Sequence, residues 1–120
     1  MDMNRDTEGG NVLIRSEWNG DSLTVYLDGE IDHFASEHWR QEIEAELKKR
    51  PVSKLVLDFS DVHFMDSSGV GMIIGRYKTV KALGGQVYAQ GLNPPISRLF
   101  RLAGLHRIIT IQSGGQETYE

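Results

Sequence analysis

The change of hydrophobic period between residues 55 and 85 constrains the fold most. Leu55, Val56 and Leu57 form a short continuous apolar run, which is typical of a central strand buried on both faces. After Ser68 the apolar residues take the i, i+3, i+4, i+7 spacing of a helix, and Gly84-Gly85 ends it. These helical positions are Val70, Ile73, Ile74, Tyr77 and Val80. A strand that leads directly into a helix predicts an α/β domain with parallel strands.

The rest of the chain continues this alternation. Alternating apolar residues on either side of Asn19-Gly20 predict a β-hairpin, because this dipeptide tolerates the positive φ angles of a tight turn. A helix is predicted over 34–49, because Ala35, Trp39, Ile43 and Leu47 lie on one face of it. The remaining predicted elements are a strand over 86–89, a helix opened by Pro94-Pro95 and a strand over 108–111. The order β-β-α-β-α-β-α-β predicts a mixed, largely parallel sheet packed against helices.

Length and composition indicate one domain. The 120 residues contain neither a repeat nor a linker long enough to divide them, and we expect a flexible leader over 1–11, a domain over 12–111 and a frayed tail over 112–120. Thirteen basic and 17 acidic side chains give a net charge of −4, which disfavours nucleic acid as a partner. The sequence has no cysteine, no secretory signal and no apolar run long enough to insert in a membrane, so we expect a cytoplasmic protein.

The segment Asp66-Ser67-Ser68-Gly69 lies between the predicted central strand and its helix. One interpretation is helix capping, because serine and aspartate side chains accept hydrogen bonds from first-turn amides. The glycines at 69, 71 and 75 favour a further role, since an interior glycine costs a helix about 1 kcal/mol. The segment is also expected at the carboxyl edge of the sheet, where partner sites collect, and a helix amino terminus accommodates a phosphate.

Catalysis by these serines is disfavoured. A nucleophilic serine needs a base within hydrogen-bond reach and a third group that orients the base. None of the four histidines falls in a hydrolase pattern, and the segment is not a nucleophile elbow. Gly69-Val70-Gly71 also lacks the length and the Lys-Ser/Thr ending of a phosphate-binding loop.

Three motifs together resemble the anti-sigma factor antagonists of the STAS-domain family. They are DSSGVG over 66–71, GEIDH over 29–33 and SRLF over 97–100, and the resemblance covers roughly residues 12–111. It implies the STAS fold, a mixed sheet covered by helices. It also implies a function: the unmodified antagonist binds an anti-sigma factor and thereby releases the sigma factor.

The resemblance also implies how such a protein is regulated. The anti-sigma factor is a serine kinase that binds the ATP, so the antagonist itself needs no cofactor, and a PP2C-type serine phosphatase reverses the modification. The phosphoacceptor corresponds to Ser68, while Asp66, Ser67 and Gly69 form its loop. Asp32 corresponds to an acid that contacts the kinase, and a helix N-cap is the alternative reading of this residue.

Further partner contacts are predicted on the exposed side of the helix after Ser68. Gly71 and Gly75 offer a stripe of small residues for close approach, and Met72, Arg76 and Thr79 are expected to be exposed beside them. Two other functions stay open. One is a scaffold or accessory subunit of a signalling or transport complex, and the other is a weak nucleotide hydrolase.

Overall fold

The computed structural model describes residues 15–113, which form one sheet with helices packed against it. The elements are β1 (Arg15–Asn19), β2 (Ser22–Ile31), α1 (His33–Leu47), β3 (Lys54–Met65), α2 (Ser67–Ala82), β4 (Gln86–Gln90), α3 (Pro94–Leu102), a 3-10 turn (Leu105–Arg107) and β5 (Thr110–Ile111). The predicted order of strands and helices is therefore confirmed.

The sheet is mixed and largely parallel, as predicted. Its strands lie in the order β1-β2-β3-β4-β5, with β1 antiparallel to β2 and each later neighbouring pair parallel. The antiparallel pair is the hairpin about Asn19-Gly20, and Gly20 has a φ of 66°. Residues with a side chain rarely adopt a positive φ, which explains the glycine at the turn.

One hydrophobic core joins the helices to the sheet. Trp39, Ile43 and Leu47 of α1 are buried in it, so the predicted apolar face of this helix is confirmed. From β3, Leu57 and Phe59 enter the same cluster. The Phe59 ring meets Phe100 of α3 edge to face, with 5.5 Å between ring centroids, and this contact fixes α3 against the sheet.

Two strand predictions differ from the structure in length. The central strand extends from Lys54 to Met65, well beyond its apolar run, because its second half pairs with β2 across two register irregularities. The final strand contains only Thr110 and Ile111. It starts later than predicted because the 3-10 turn over Leu105–Arg107 precedes it and the Ile109 side chain packs in the core. The predicted leader, the start of the first strand and most of the predicted tail lie outside the described residues.

The parallel arrangement brings the starts of two helices to one edge of the sheet. At the carboxyl ends of β2 and β3, Ile31 lies opposite Met65. One residue further along each chain segment, Asp32 and Asp66 are the N-caps of α1 and α2. Residues separated by more than 30 positions in the sequence therefore share one surface.

Candidate functional site

The loop before α2 is held by the carboxylate of Asp66. Asp66 Oδ1 accepts a hydrogen bond of 2.8 Å from the Ser68 amide, and the Asp66 amide donates to the Ile31 carbonyl at 3.2 Å. The acid is thus the N-cap, and both serines lie inside the first turn. The capping interpretation holds for Asp66 and is wrong for the serine hydroxyls.

The two serines differ in their surroundings. Ser67 is exposed, whereas Ser68 is half-buried and faces α1. Within residues 15–113 the Ser68 hydroxyl makes no hydrogen bond. A free hydroxyl in an ordered first turn is available as a group acceptor without loss of a structural contact.

Asp32 has the equivalent position at α1. Its Oδ1 accepts a 2.9 Å hydrogen bond from the Ala35 amide, and its backbone is extended. The N-cap reading of Asp32 is therefore confirmed. Because the residue is also exposed, its carboxylate is accessible beside the Ser68 loop, and its contact with a kinase stays a prediction.

The glycines of α2 differ in how much space surrounds them. Gly69 is buried, and a Cβ there would lie 2.3 Å from Met65 Cγ and 3.1 Å from Ile31 Cγ2. Its absent side chain therefore permits close packing against the sheet, and its role in the phosphoacceptor loop stays a prediction. Gly71 is exposed and Gly75 half-buried, and a Cβ at either position would meet nothing within 4 Å.

The predicted exposure of Met72 and Arg76 is wrong. Met72 is 5% exposed and Arg76 is 8% exposed, because α2 packs against α1 as well as against the sheet. Arg76 Nε lies 2.7 Å from Glu44 Oε2 in an ion pair, and the Thr79 hydroxyl donates to the same carboxylate oxygen at 2.8 Å. These polar residues of α2 hold the two helices together.

A cleft of about 250 Å³ opens between the first half of α1 and that of α2. We call it the α1–α2 cleft, and its lining residues are His33, Ser36, Glu37, Arg40, Ser68, Gly71, Met72 and Arg76. Sequence reasoning missed the four residues of α1. Their spacing of three and four along one helix, with both helices starting at the same sheet edge, is the signal that could have identified them.

Two arginines line the cleft, and each forms an ion pair with a glutamate. Arg40 donates hydrogen bonds to both carboxylate oxygens of Glu37, and Gln41 donates a further one. These bonds hold the pKa of Glu37 at about 2. On the opposite wall, Arg76 Nη1 is buried and has no hydrogen-bond partner among the described residues.

Exposed aromatic side chains flank the same edge of the sheet. Phe34, the second residue of α1, is 87% exposed, and Phe64, near the end of β3, is 49% exposed. Sequence reasoning also missed these two residues. Phe34 stands outside the apolar stripe of its helix, and an aromatic residue in that position is the signal for a contact surface.

The arrangement lacks the parts of a hydrolase among residues 15–113. His33 lines the cleft with Ser68, yet no hydrogen bond joins the two residues, and no described group orients the imidazole. The same residues hold no cluster of three potential metal ligands, and none of their helices could span a membrane. Within the described residues, no hydrogen bond therefore activates the Ser68 hydroxyl as a nucleophile.

Comparison with known proteins gives consistent matches. The profile described as STAS domain matches residues 14–117. The anti-sigma F factor antagonist of Paenibacillus polymyxa is 38% identical over 101 residues, which are 84% of this chain and 86% of the relative.

Among solved structures, the anti-sigma factor antagonist SpoIIAA in its unphosphorylated form matches with a TM-score of 0.72 and 28% identity, over 83% of this chain and 88% of that one. The phosphorylated form of SpoIIAA, a Bacillus cell fate determinant, matches with a TM-score of 0.66 and 28% identity, over 83% and 91% of the two chains. Both forms of that relative thus resemble the fold described here.

Proposed function

The chain belongs to the STAS domain family, and from that premise we propose that it is an anti-sigma factor antagonist that is inactivated by phosphorylation of Ser68. The observation that carries the proposal is the Ser68 hydroxyl in the capped first turn of α2, which forms no hydrogen bond with any residue that the structure describes. A relative that has been solved in unphosphorylated and phosphorylated forms supports it. The protein itself acts as a binding partner and not as an enzyme.

In the proposed cycle the anti-sigma factor supplies both the binding surface and the ATP. The Ser68 oxygen attacks the γ-phosphorus, the bond to the β-phosphate oxygen breaks, ADP leaves, and the hydroxyl proton passes to a base of the kinase. A PP2C-type phosphatase hydrolyses the phosphoserine and restores the hydroxyl. Throughout, Asp66 fixes the turn that presents Ser68, while Ser67, Asp32, Gly71 and Gly75 face the partner from the same region.

Phosphorylation would change the charge at the centre of this surface. A phosphoserine carries about −1.5 to −2 charges at neutral pH, beside the carboxylates of Asp32 and Asp66. A partner that fits the neutral hydroxyl would have to desolvate or repel this charge. The fold need not change, because the amino terminus of a helix favours an anion.

Incubation with the cognate anti-sigma factor and ATP tests the proposed function. We expect mass spectrometry to find one phosphate, on Ser68, and we expect Ser68→Ala to abolish its incorporation. Ser67→Ala is the matched control, because it removes the neighbouring exposed hydroxyl, and it should still be phosphorylated. A phosphate on another residue would refute the assignment, and binding without any phosphorylation would favour the accessory-subunit alternative.

The exposed aromatic side chain of α1 gives a second test. We expect Phe34→Ser to weaken binding to the anti-sigma factor about 10-fold, because large aromatic residues contribute strongly when an interface buries them. The matched control is Leu102→Ser, which removes an apolar side chain that is 80% exposed at the far end of α3. Isothermal titration calorimetry measures both affinities. Equal losses for the two variants would exclude a specific role of Phe34.

A further inference from the structure

The α1–α2 cleft contains a buried cation with unused hydrogen-bonding capacity. Arg76 is more than nine-tenths buried, and its Nη1 has no partner among the described residues. A buried donor that lacks an acceptor is unfavourable, the more so when the group is charged. An oxyanion in the cleft would satisfy this donor.

Ser68 lines the same cleft as Arg76, and Arg40 and His33 line its opposite wall. A phosphoryl group on the Ser68 oxygen would therefore start inside the cleft. Arginine is well suited to such a group, because its planar fork donates two parallel hydrogen bonds to phosphate oxygens. The amino terminus of α2 adds a favourable dipole at the same place.

Resting on the function proposed above, we propose that phosphoserine 68 is held within the protein itself, with its phosphoryl group bound in the α1–α2 cleft by Arg76 and Arg40. Arg76 can do so without breaking its ion pair, since Nε is the atom that lies 2.7 Å from Glu44 Oε2, whereas Nη1 has neither an ion-pair nor a hydrogen-bond partner among the described residues. Arg40 must exchange the Glu37 carboxylate for the phosphate. Both members of that pair are exposed, so the exchange loses little.

The acidic groups around the cleft oppose this binding, because they repel the phosphate or compete with it for the arginines. Glu37 lies in the lining, Glu44 is paired with Arg76, and Asp32 and Asp66 cap the two helices. A dianion competes better than one carboxylate for Arg40, because it has more charge and more acceptor oxygens. In the bound state the phosphate would be shielded from a phosphatase, so the arginines would set how long the inactive form persists.

Phosphorus NMR on protein with phosphoserine introduced at position 68 during translation tests the proposal without any kinase. We expect the second pKa of the phosphate to fall from about 6 to about 5, because two nearby cations favour the dianion. Arg40→Gln and Arg76→Gln should raise this pKa toward its ordinary value. Glu37→Gln should lower it further, because it frees Arg40 from its competitor.

The matched control is Lys78→Gln, which removes an exposed cation from α2 that is not part of the cleft, and it should leave the phosphate pKa unchanged. Arg40 and Glu37 are exposed, so their variants keep the test valid if Arg76→Gln does not fold. A phosphate that titrates near 6 in the folded protein and does not respond to Arg40→Gln or Glu37→Gln would overturn the proposal. That result would leave the kinase assay on Ser68 unaffected, so the two failures are distinguishable.

Discussion

Gly69→Ala is expected to destabilise the protein by about 1 to 2 kcal/mol, although alanine is the better helix former. The added Cβ would lie 2.3 Å from Met65 Cγ and 2.7 Å from Met65 Sδ. Methionine is flexible at its far end, but Cγ is only one bond beyond Cβ, so relief requires rotation of the whole side chain. Ile31 Cγ2, 3.1 Å away, closes the other side. The overpacking cost therefore exceeds the gain in helix propensity of about 1 kcal/mol.

Gly71→Ala is the matched control for this change. It lies two residues further along the same helix, and a Cβ there would meet nothing within 4 Å. We expect it to stabilise the protein by about 0.5 to 1 kcal/mol, through helix propensity alone. Urea denaturation at constant m-value measures both changes. If Gly69→Ala were as stabilising as Gly71→Ala, Gly69 would not be a packing residue.

The pattern of α2 shows how far sequence reasoning can go in this chain. Apolar spacing located the helix and its buried stripe, because Ile73 and Val80 face the sheet core in the structure. The same reasoning assigned Met72 and Arg76 to solvent. It failed there because a helix with two neighbours has a second buried face, and a polar residue on that face is stabilised by its partner on the other helix.

That partner is Glu44, which lies 32 positions before Arg76 and forms the ion pair at 2.7 Å. A single sequence contains no periodicity that links two such residues. The α1–α2 cleft was missed for the same reason. The expected position of Ser68 at the carboxyl edge of the sheet did not predict which side chains of α1 would line the cleft with it.

Local irregularities in the pairing of β2 with β3 limited how accurately the sequence could predict the ends of the strands. β2 and β3 change register between Tyr26 and Asp28, and again between Gly29 and Glu30. Gly29 has a φ of 75°, which interrupts the regular alternation of a strand. Because the apolar run that predicted β3 ends at Leu57, the second half of this strand could be placed only approximately. The segment Asp66-Ser67-Ser68-Gly69 was nevertheless predicted correctly at the carboxyl edge of the sheet.

The largest effect on binding is expected from Ser68→Asp, which should weaken affinity for the anti-sigma factor about 100-fold. A carboxylate at this half-buried position must be desolvated when the partner covers the surface, and a buried charge without a matched partner costs about 3 kcal/mol. The side chain of aspartate is shorter than phosphoserine, so it is not expected to reach both arginines of the cleft. The variant should remain folded, because an acid in the first turn of a helix is favourable by about 0.3 to 1 kcal/mol.

Ser68→Asn separates charge from shape in this experiment. Asparagine has nearly the size of aspartate but no charge, so we expect its affinity to lie within about 10-fold of that of the unmodified protein. Calorimetry on the two variants, with thermal melts as the control for folding, gives the contribution of charge as their difference. If asparagine weakened binding as much as aspartate, steric exclusion would be the cause, and phosphorylation would then inactivate the protein by bulk. If neither variant changed the affinity, the partner would not cover Ser68, and the proposed switch would be wrong.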